Sequence, residues 1–347
     1  MKVLIMGGTG TISTATTRAL CSRGHEVVHY NRGQSPSEFA GRVRTIRGDR
    51  HCHADFEACI GKELPFDCVI EMIGFTPADA HSLVRAFGAR TRQLIFCSTV
   101  DVYRKPARSY PIVETADIGA RPEFSYAYDK VACEQILQDA QRSGLFALTI
   151  IRPAQTYSDS SQPLSFLGSG LAMLKRIRTG RPILVLGNGL SLWSACHRDD
   201  VGLAFANAAL NENTFGQAYH VASDECMTWL DLYRTIARVM RAPEPEFAGI
   251  PTALLSRVSS TAFLWSAENF QYDNVFDTTR ARTDLGFRST ISWAEGVRRM
   301  IAFHDSLNAI DTVEEDPRYD ALIEAWQRLS SAMAGELSGL FPPARTG

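Results

Sequence analysis

The chain has 347 residues, 45% of them hydrophobic, and its 36 basic and 38 acidic residues give a formal net charge of −2. This length allows one large domain or two fused ones, with a substantial core. The charge balance provides no basic excess for nucleic acid and no acidic tail, so we expect no nucleic-acid partner. No apolar run approaches the ~20 residues of a membrane span, and the chain begins directly with a strand-like segment, so we expect a cytoplasmic protein.

A glycine-rich turn follows the first predicted strand. The strand covers residues 2–6, the turn covers residues 7–13 with the sequence GGTGTIS, and a helical pattern continues to residue 20. Glycines let the backbone approach a pyrophosphate, and a helix N-terminus offers N–H groups to phosphate oxygens. This order predicts a dinucleotide site, although Ser13 occupies the third glycine slot. The residues assigned to the site are Gly7, Gly10, Thr11 and Ile12.

The end of the second predicted strand, residues 26–30, bears on which dinucleotide binds. A carboxylate normally holds the ribose 2′-hydroxyl there, whereas this chain has Asn31 followed by Arg32. Losing the carboxylate and gaining a guanidinium favours a 2′-phosphate. We therefore expect NAD(P) as the cofactor, with a preference for NADP. After a third strand at residues 43–47, Asp49 is placed to reach the adenine edge, and an ordinary turn aspartate fits nearly as well.

The cysteines and histidines predict no metal site. The eight cysteines have no C-x-x-C pair and fit buried small hydrophobic residues in a reducing compartment. The run His51-Cys52-His53 has ligand-type side chains, but neighbours in sequence point in different directions and no further ligand cluster is nearby.

Strands and helices alternate up to about residue 158. Further strands are predicted at residues 66–72, 93–98 and 147–152, with helices at 78–87 and 126–143. This alternation predicts an α/β protein with a Rossmann-type, doubly wound parallel sheet, whose ligands bind beyond the carboxyl ends of the strands. The segments expected at that edge are residues 7–13, 73–74, 98–103 and 152–157.

The pattern loosens after residue 158, which predicts a smaller, discontinuous C-terminal substrate lobe. A helix at 171–179 and a strand in RPILVLGNG belong to it, while a helix at 200–211 and a strand at 218–222 return to the sheet. An apolar stripe at helical spacing after residue 316 predicts packing against the same domain or a partner subunit. The predicted division is 1–158 plus 191–223 for the NAD(P)-binding Rossmann domain, 159–190 plus 224–305 for the substrate lobe, and 306–347 for a C-terminal helical extension.

Tyr126 and Lys130 form the predicted proton-transfer pair. They lie one helical turn apart, so both side chains emerge on the same face. An ammonium beside a phenol lowers its pKa from near ~10 toward the working pH, which lets the phenolate take a proton from a substrate hydroxyl while hydride leaves for a nicotinamide. Thr99, at the end of the fifth strand, is placed to hydrogen-bond the same substrate oxygen.

These motifs, with STVDVY, YAYDK, RPAQTY, HRDDV and DLGF, resemble the extended short-chain dehydrogenase/reductases of the NAD-dependent epimerase/dehydratase superfamily over about residues 1–305. The resemblance implies a catalytic triad of Thr99, Tyr126 and Lys130, with Tyr126 as the acid/base and both Tyr126 and Lys130 at the cofactor. It also implies that Asp200 is largely structural and that the protein is a homodimer, a common assembly in this superfamily.

Asp101 stands two residues before Tyr103, where related dehydratases and decarboxylases carry a carboxylate placed for proton chemistry. Once C4 of a nucleotide sugar is a ketone, the C5–H is acidic enough for a carboxylate to remove, which gives elimination or inversion. The resemblance therefore makes Asp101 a candidate catalytic residue. The alternative is a loop carboxylate that makes local backbone hydrogen bonds.

Two departures distinguish the chain from a conventional UDP-sugar enzyme. The asparagine usual after the sixth strand is Gln155, and the phosphate-clamping arginine of the family is replaced by Trp193. The segments NRG, GDR and CHRDD instead resemble an atypical branch that includes chloroplast stem-loop-binding proteins, some of which act on RNA. The substrate contacts we consider are Phe75, Gln155, Trp193 and His197.

Three functions remain open from the sequence. The leading hypothesis is an epimerase, dehydratase or decarboxylase of a small sugar or nucleotide-sugar substrate, which oxidises a hydroxyl transiently and returns the hydride. The second is an NADPH-dependent ketoreductase of a small carbonyl substrate, which Asn31 and Arg32 favour. The third is a non-catalytic nucleotide- or RNA-binding protein.

Overall fold

The computed structural model describes residues 1–63 and 65–340. The strands are β1 Lys2–Met6, β2 Glu26–Asn31, β3 Arg44–Arg47, β4 Phe66–Glu71, β5 Thr91–Cys97, β6 Ala147–Pro153, β7 Gln155–Tyr157, β8 Ile183–Leu186, β9 Leu192–His197, β10 Gln217–Val221, β11 Cys226–Thr228 and β12 Phe247–Ile250. The helices are α1 Thr11–Ser22, α2 His53–Gly61, α3 Pro77–Phe87, α4 Ser125–Arg142, α5 Gly170–Arg178, α6 Arg198–Ala208, α7 Trp229–Met240, α8 Thr252–Val258, α9 Thr279–Leu285, α10 Trp293–Ser306, α11 Ala309–Thr312 and α12 Pro317–Leu337.

Seven strands form one parallel sheet in the order β10-β6-β5-β4-β1-β2-β3. Alternate residues of β1 enter two separate cores: Leu4 and Met6 pack on one face, and Val3 and Ile5 pack on the other. A parallel sheet covered on both faces needs such a continuous apolar strand. The predicted Rossmann-type fold class is confirmed. The sequence pattern did not predict α2, whose only fully buried residues are Phe56 and Ile60.

The strand order reverses between β1 and β4. The chain runs outward from β1 through β2 to β3 and then returns to build the other half of the sheet from β4. The loops that follow these two central strands therefore diverge and leave a crevice at the carboxyl edge. At that point a Cβ on Gly7 would lie 2.4 Å from the Ile73 side chain, so the two loops are in close contact.

The chain divides into two compact units. The first contains residues 1–158, 192–226 and 272–296, and the second contains 159–191, 227–271 and 297–347, of which 341–347 lie outside the described residues. The predicted boundaries placed residues 272–296 in the substrate lobe. The structure groups them with the sheet because Ala281, Leu285 and Phe287 complete the apolar core on one face of it.

The second unit is built around the parallel pair β8–β12. The start of α12 belongs to this unit, since the Leu184 N–H donates to the Tyr319 hydroxyl at 2.8 Å and the Arg176 guanidinium lies 4.1 Å from the Tyr319 ring centroid. The predicted apolar stripe is thus only partly packed: Tyr319 is buried, whereas Met333 is 58% exposed. The residues predicted as a separate extension begin within the unit.

No helix among residues 1–63 and 65–340 combines the length and the apolar character needed to cross a membrane.

Gly202 sets how closely α6 approaches α1. A Cβ at this position would lie 2.5 Å from the Ala15 Cβ and 2.7 Å from the Thr16 backbone nitrogen, neither of which is a flexible side-chain end. We expect Gly202→Ala to lower the free energy of unfolding by about 1–3 kcal/mol through overpacking. Gly335→Ala, in an open position of α12, is the control and should be neutral or stabilising by up to about 1 kcal/mol. Urea unfolding measures both; equal effects would contradict the close helix contact.

Candidate functional site

The turn between β1 and α1 is held by one serine side chain. Gly7 has a positive φ of 78°, and the Ser13 hydroxyl donates to the Gly7 carbonyl at 2.6 Å while it accepts the Gly10 N–H at 2.8 Å. Ser13 is buried, with an exposure of 1%. The residue in the third glycine slot therefore closes the turn by hydrogen bonding, a role that the glycine spacing in the sequence does not indicate.

The surroundings of Gly10 fit the approach of a dinucleotide phosphate. Within 4 Å of a Cβ built at Gly10, the non-adjacent neighbours are the Ser13 Oγ at 3.2 Å and the Gly7 carbonyl oxygen at 3.5 Å, both on the turn itself. Thr11 and Ile12 begin α1, and the first N–H groups of a helix have no intrahelical acceptor. The turn thus combines the N-terminal N–H groups and the positive end of a helix, both of which favour an anion.

At the end of β2, the side chains around the predicted ribose position make local contacts. The Asn31 side-chain carbonyl accepts the Gly33 N–H at 2.9 Å, while Arg32 is exposed. The carboxylate of Asp49 accepts the His51 N–H at 2.9 Å, which is the turn contact considered as its alternative. The structure gives no contact of Asp49 that requires a nucleotide.

A buried ion pair next to this turn was not predicted. The Arg50 guanidinium, 2% exposed, donates to Glu71 at 3.0 Å and lies 4.2 Å from the Phe56 ring centroid. Glu71 ends β4 and also accepts the Ile73 N–H at 2.7 Å. The pair fixes the loop after β4. A buried arginine next to a turn aspartate has no recognisable signal in the sequence, because its partner is 21 residues away.

Lys130 joins α4 to the carboxyl ends of two central strands. Its ammonium donates to the carbonyls of Cys97 at 2.7 Å and Gly74 at 2.9 Å, and it lies 4.7 Å from the ring centroids of both Phe75 and Phe96. The side chain is 1% exposed, and burial lowers the pKa of its amine. These carbonyls occupy two of the three ammonium donors and fix the position of the charge.

Tyr126 is hydrogen-bonded to Thr99, and both lie at the carboxyl edge of the sheet. Burial raises the pKa of the Tyr126 phenol, and the negative charge of Asp101 raises it further, while the hydrogen bond with Thr99 opposes the shift. The sequence predicts that Lys130 lowers this pKa. In the structure burial and the Asp101 carboxylate raise it instead.

Asp101 is hydrogen-bonded to Thr99 through both its carboxylate and its backbone N–H. The Thr99 hydroxyl donates to the Asp101 carboxylate at 2.9 Å and accepts the Asp101 N–H at 3.2 Å. Burial lowers the pKa of Lys105 to about 8, and the carboxylate of Asp101 partly offsets this shift. Asp101 therefore belongs to the same cluster as Thr99 and Tyr126.

The four candidate substrate residues lie in three different settings. Phe75 is 40% exposed, with its ring centroid 6.4 Å from that of Tyr126, so it flanks the catalytic cluster. The Trp193 indole N–H donates to the Gln155 side-chain carbonyl, which fixes both residues against each other. His197 is fully buried and accepts the Asp199 N–H at 3.3 Å as the cap of α6. We leave His197 out of the proposed substrate contacts.

Asp200 has the structural role implied by the resemblance. Its carboxylate accepts the Thr290 N–H at 2.8 Å, the Thr290 hydroxyl at 2.6 Å and the Ile291 N–H at 3.1 Å. These bonds attach the segment after α9 to α6. Among residues 1–63 and 65–340, no group of three or more His, Cys, Asp or Glu side chains is arranged to hold a metal ion.

A doubly wound sheet with a glycine turn after β1 and a Thr-Tyr-Lys cluster at its carboxyl edge defines the class of extended short-chain dehydrogenase/reductases. The model of the NAD dependent epimerase/dehydratase family matches residues 3–222, and the chain belongs to this family. The resemblance stated from the motifs is confirmed, and the chain is an NAD(P)-dependent enzyme of the oxidoreductase and epimerase type.

Several known proteins are similar to this chain. The 2′-dehydrokanamycin reductase of Streptomyces kanamyceticus is 27% identical over 80% of this chain and 77% of its own length. The chloroplast stem-loop binding protein of 41 kDa b from Arabidopsis thaliana is 25% identical over 85% of this chain and 77% of its own length. The crystal structure of UDP-glucose 4-epimerase from Thermotoga maritima with UDP-glucose has a TM-score of 0.71 at 18% identity, covering 88% of this chain and 100% of that one.

The hydroxyl of Ser13 provides a test of the turn. We expect Ser13→Ala to lower the free energy of unfolding by about 1–2 kcal/mol and to weaken NADPH binding several-fold, because the Gly7 carbonyl and the Gly10 N–H lose their shared partner. Ser22→Ala, which removes an exposed hydroxyl bonded to Ala19 on the same helix, is the control. Calorimetric titration with NADPH measures the affinity; an unchanged dissociation constant in Ser13→Ala would refute the role of the hydroxyl.

Proposed function

We propose that this protein is an NADPH-dependent reductase of a ketone on a small, hydroxyl-bearing molecule. The observation that carries the proposal is the position of Tyr126: a buried phenol, hydrogen-bonded to Thr99 and one helical turn from Lys130, whose ammonium is held by two backbone carbonyls. A ketone that accepts hydride becomes an alkoxide and needs a proton donor beside its oxygen. The protonated phenol supplies that proton.

The residues of the glycine turn fit a nicotinamide dinucleotide. Gly7, Gly10, Thr11 and Ile12 would hold the pyrophosphate, and the exposed guanidinium of Arg32 favours a 2′-phosphate over a plain hydroxyl. When bound, the reduced cofactor supplies the hydride. Asp49 stays a candidate for the adenine edge, because its hydrogen bond to the His51 N–H involves one of its two carboxylate oxygens.

Each residue of the catalytic cluster has a separate task. Tyr126 donates its proton to the carbonyl oxygen, and Thr99 hydrogen-bonds the phenol and orients it. Lys130 stabilises negative charge on the phenolate left behind, because its ammonium is held in place by two backbone carbonyls in a buried site. Phe75 borders the same cluster and contributes an apolar wall.

The substrate we infer lacks a diphosphate that the protein must clamp. Trp193 stands where the family carries an arginine, and its indole N–H is engaged with Gln155, so this pair offers no charged fork for a phosphate. The similarity to 2′-dehydrokanamycin reductase agrees with a carbohydrate-like ketone as the substrate. 2′-Dehydrokanamycin and simpler cyclic hydroxyketones are suitable first probes.

A redox-neutral epimerase or dehydratase is the second candidate function. The family as a whole and the proximity of the Asp101 carboxylate to Thr99 and Tyr126 favour it, since a second acid/base beside the ketone would allow chemistry at the neighbouring carbon. Asp101 is then a catalytic residue, whereas in the reductase it only orients Thr99.

One experiment separates the two candidates. The purified protein is denatured and the released nucleotide identified, and a second sample is mixed with NADPH and the probe ketones. We expect little retained nucleotide and a stoichiometric loss of NADPH absorbance with formation of the alcohol. Tightly retained NAD(P)⁺ with no net consumption of NADPH would contradict the reductase and support the redox-neutral enzyme.

Replacement of the proton donor should abolish turnover and leave binding intact. We expect Tyr126→Phe to reduce kcat for ketone reduction roughly 100- to 10 000-fold, because a positioned general acid contributes about that much. NADPH affinity should remain within about threefold, since the phenol oxygen is a small part of the predicted cofactor site. Tyr128→Phe, an exposed tyrosine on the same helix, is the matched control and should be fully active. A Tyr126→Phe variant that retains the kcat of the wild type would refute the role of Tyr126 as the proton donor.

The pH dependence should reflect a phenol whose pKa is raised. The reducing direction requires the protonated form, and the pKa lies above the ordinary value of about 10, so kcat should stay level from about pH 6 to 9 and fall only at higher pH. Oxidation of the product alcohol requires the phenolate and should increase over the same upper range. Stopped-flow rates against pH test this; a decline of the reductive rate between about pH 6 and 8 would mean that the phenol pKa is lowered instead.

A further inference from the structure

A buried ion pair lies directly beneath the catalytic segment 98–103. Glu134 of α4 and Arg152 of β6 are each 2% exposed, and the guanidinium donates to the two carboxylate oxygens at 2.9 and 2.6 Å. Such a bidentate pair fixes the relative orientation of the two elements that carry it. Glu134 lies one turn beyond Lys130 and two turns beyond Tyr126, on the same face of the helix.

The two ends of the segment are attached to the two partners of this pair. At one end the Ser98 hydroxyl donates to the Glu134 carboxylate at 2.5 Å. At the other end the Arg152 guanidinium donates to the Tyr103 hydroxyl at 2.6 Å. Thr99 and Asp101 lie between these two attachments, at a short 3₁₀ turn that covers residues 100–102.

Tyr103 also belongs to a chain of hydrogen bonds that runs from Arg152 to the Asp277 carbonyl, with every donor pointing the same way along the chain. Tyr103 accepts from Arg152 and lies 2.5 Å from the Nε2 atom of His220, while the Nδ1 atom of His220 lies 2.9 Å from the Asp277 carbonyl. Burial lowers the pKa of His220 to about 3, so the imidazole is neutral. It therefore donates through Nδ1 to Asp277 and accepts the Tyr103 proton at Nε2.

We infer that Glu134 and Arg152, acting through Ser98 and Tyr103, are positioning residues that hold Thr99 and Asp101 in register with Tyr126. The carboxylate couples the segment to the helix that carries the phenol, and the guanidinium couples it to the sheet. The expected effect on catalysis rests on the proposed function. The expected effect on the conformation of residues 98–103 rests on the hydrogen bonds alone.

The experiment removes the attachments and leaves the ion pair intact, because loss of one charge would leave the other buried without a partner and unfold the protein. Ser98→Ala breaks one end and Tyr103→Phe breaks the other. The controls are Ser82→Ala, which removes a buried hydroxyl bonded to Glu57, and Tyr219→Phe, which removes a buried hydroxyl bonded to Asp284. Both controls lose a comparable hydrogen bond in the same unit of the structure.

Two measurements are made on each variant. We expect Ser98→Ala and Tyr103→Phe to lower kcat for ketone reduction roughly 10- to 100-fold with the KM for NADPH within about twofold, since a displacement of the reacting groups acts on the chemical step. We also expect faster amide hydrogen exchange in residues 98–103, measured by mass spectrometry. Tyr219→Phe, whose partner Asp284 lies outside the site, should change neither quantity, whereas Ser82→Ala, which also removes an acceptor of Arg50, should leave the exchange of residues 98–103 unchanged.

The outcomes separate this inference from the proposed function. Unchanged kcat in both attachment variants, or a lower kcat without faster exchange, would overturn the positioning role even if Tyr126→Phe is inactive as proposed. If the wild-type protein reduces no ketone, the proposed function fails, and the exchange rates alone decide: faster exchange confined to 98–103 supports the attachment, and unchanged exchange refutes it.

Discussion

The contact of the Lys130 ammonium with the carbonyls of Gly74 and Cys97 determines the geometry of the candidate site. These carbonyls follow β4 and end β5, so a single charge on α4 is tied to two neighbouring strand ends. An ammonium buried in this way is retained because two oriented dipoles replace part of its hydration. Tyr126, one turn earlier on the same helix, is thereby placed at the carboxyl edge where ligands of parallel sheets bind.

The electrostatics of the cluster follow from burial more than from pairwise attraction. Burial lowers the pKa of Lys130 and raises the pKa of Tyr126, because it disfavours the charged form of each side chain. For Lys130 the carbonyls of Cys97 and Gly74 act against this effect, since they accept hydrogen bonds from the ammonium. For Tyr126 the nearby Asp101 carboxylate adds to the effect. The phenol lies where it can give its proton to an oxygen that gains negative charge, which is the step that the proposed reductase requires.

Buried arginine–carboxylate pairs support the loops of the site from below. Arg50 with Glu71 fixes the loop after β4, and Arg152 with Glu134 lies under segment 98–103. Pairs of this kind cost desolvation and stabilise only when every donor and acceptor is used. These pairs also form hydrogen bonds with loop atoms; the Ile73 N–H, for example, donates to Glu71. Such bonds use the remaining donors and acceptors and hold the irregular backbone in a single conformation.

The sequence by itself determined the fold class, and it predicted the nucleotide turn and the cluster of Thr99, Tyr126 and Lys130 on which the proposed function rests. Those features depend on local periodicity and on the fixed rule that parallel strands end at one edge, so a short window of residues is enough to predict them. The sequence did not determine the partners of Ser13, Arg50 or Arg152, because a hydrogen bond between distant residues leaves no local pattern. Only the tertiary structure decided that the pKa of Tyr126 is raised, that His197 is buried as a helix cap and that residues 272–296 pack on the sheet. Each of these depends on burial, which is set by packing between segments far apart in the chain.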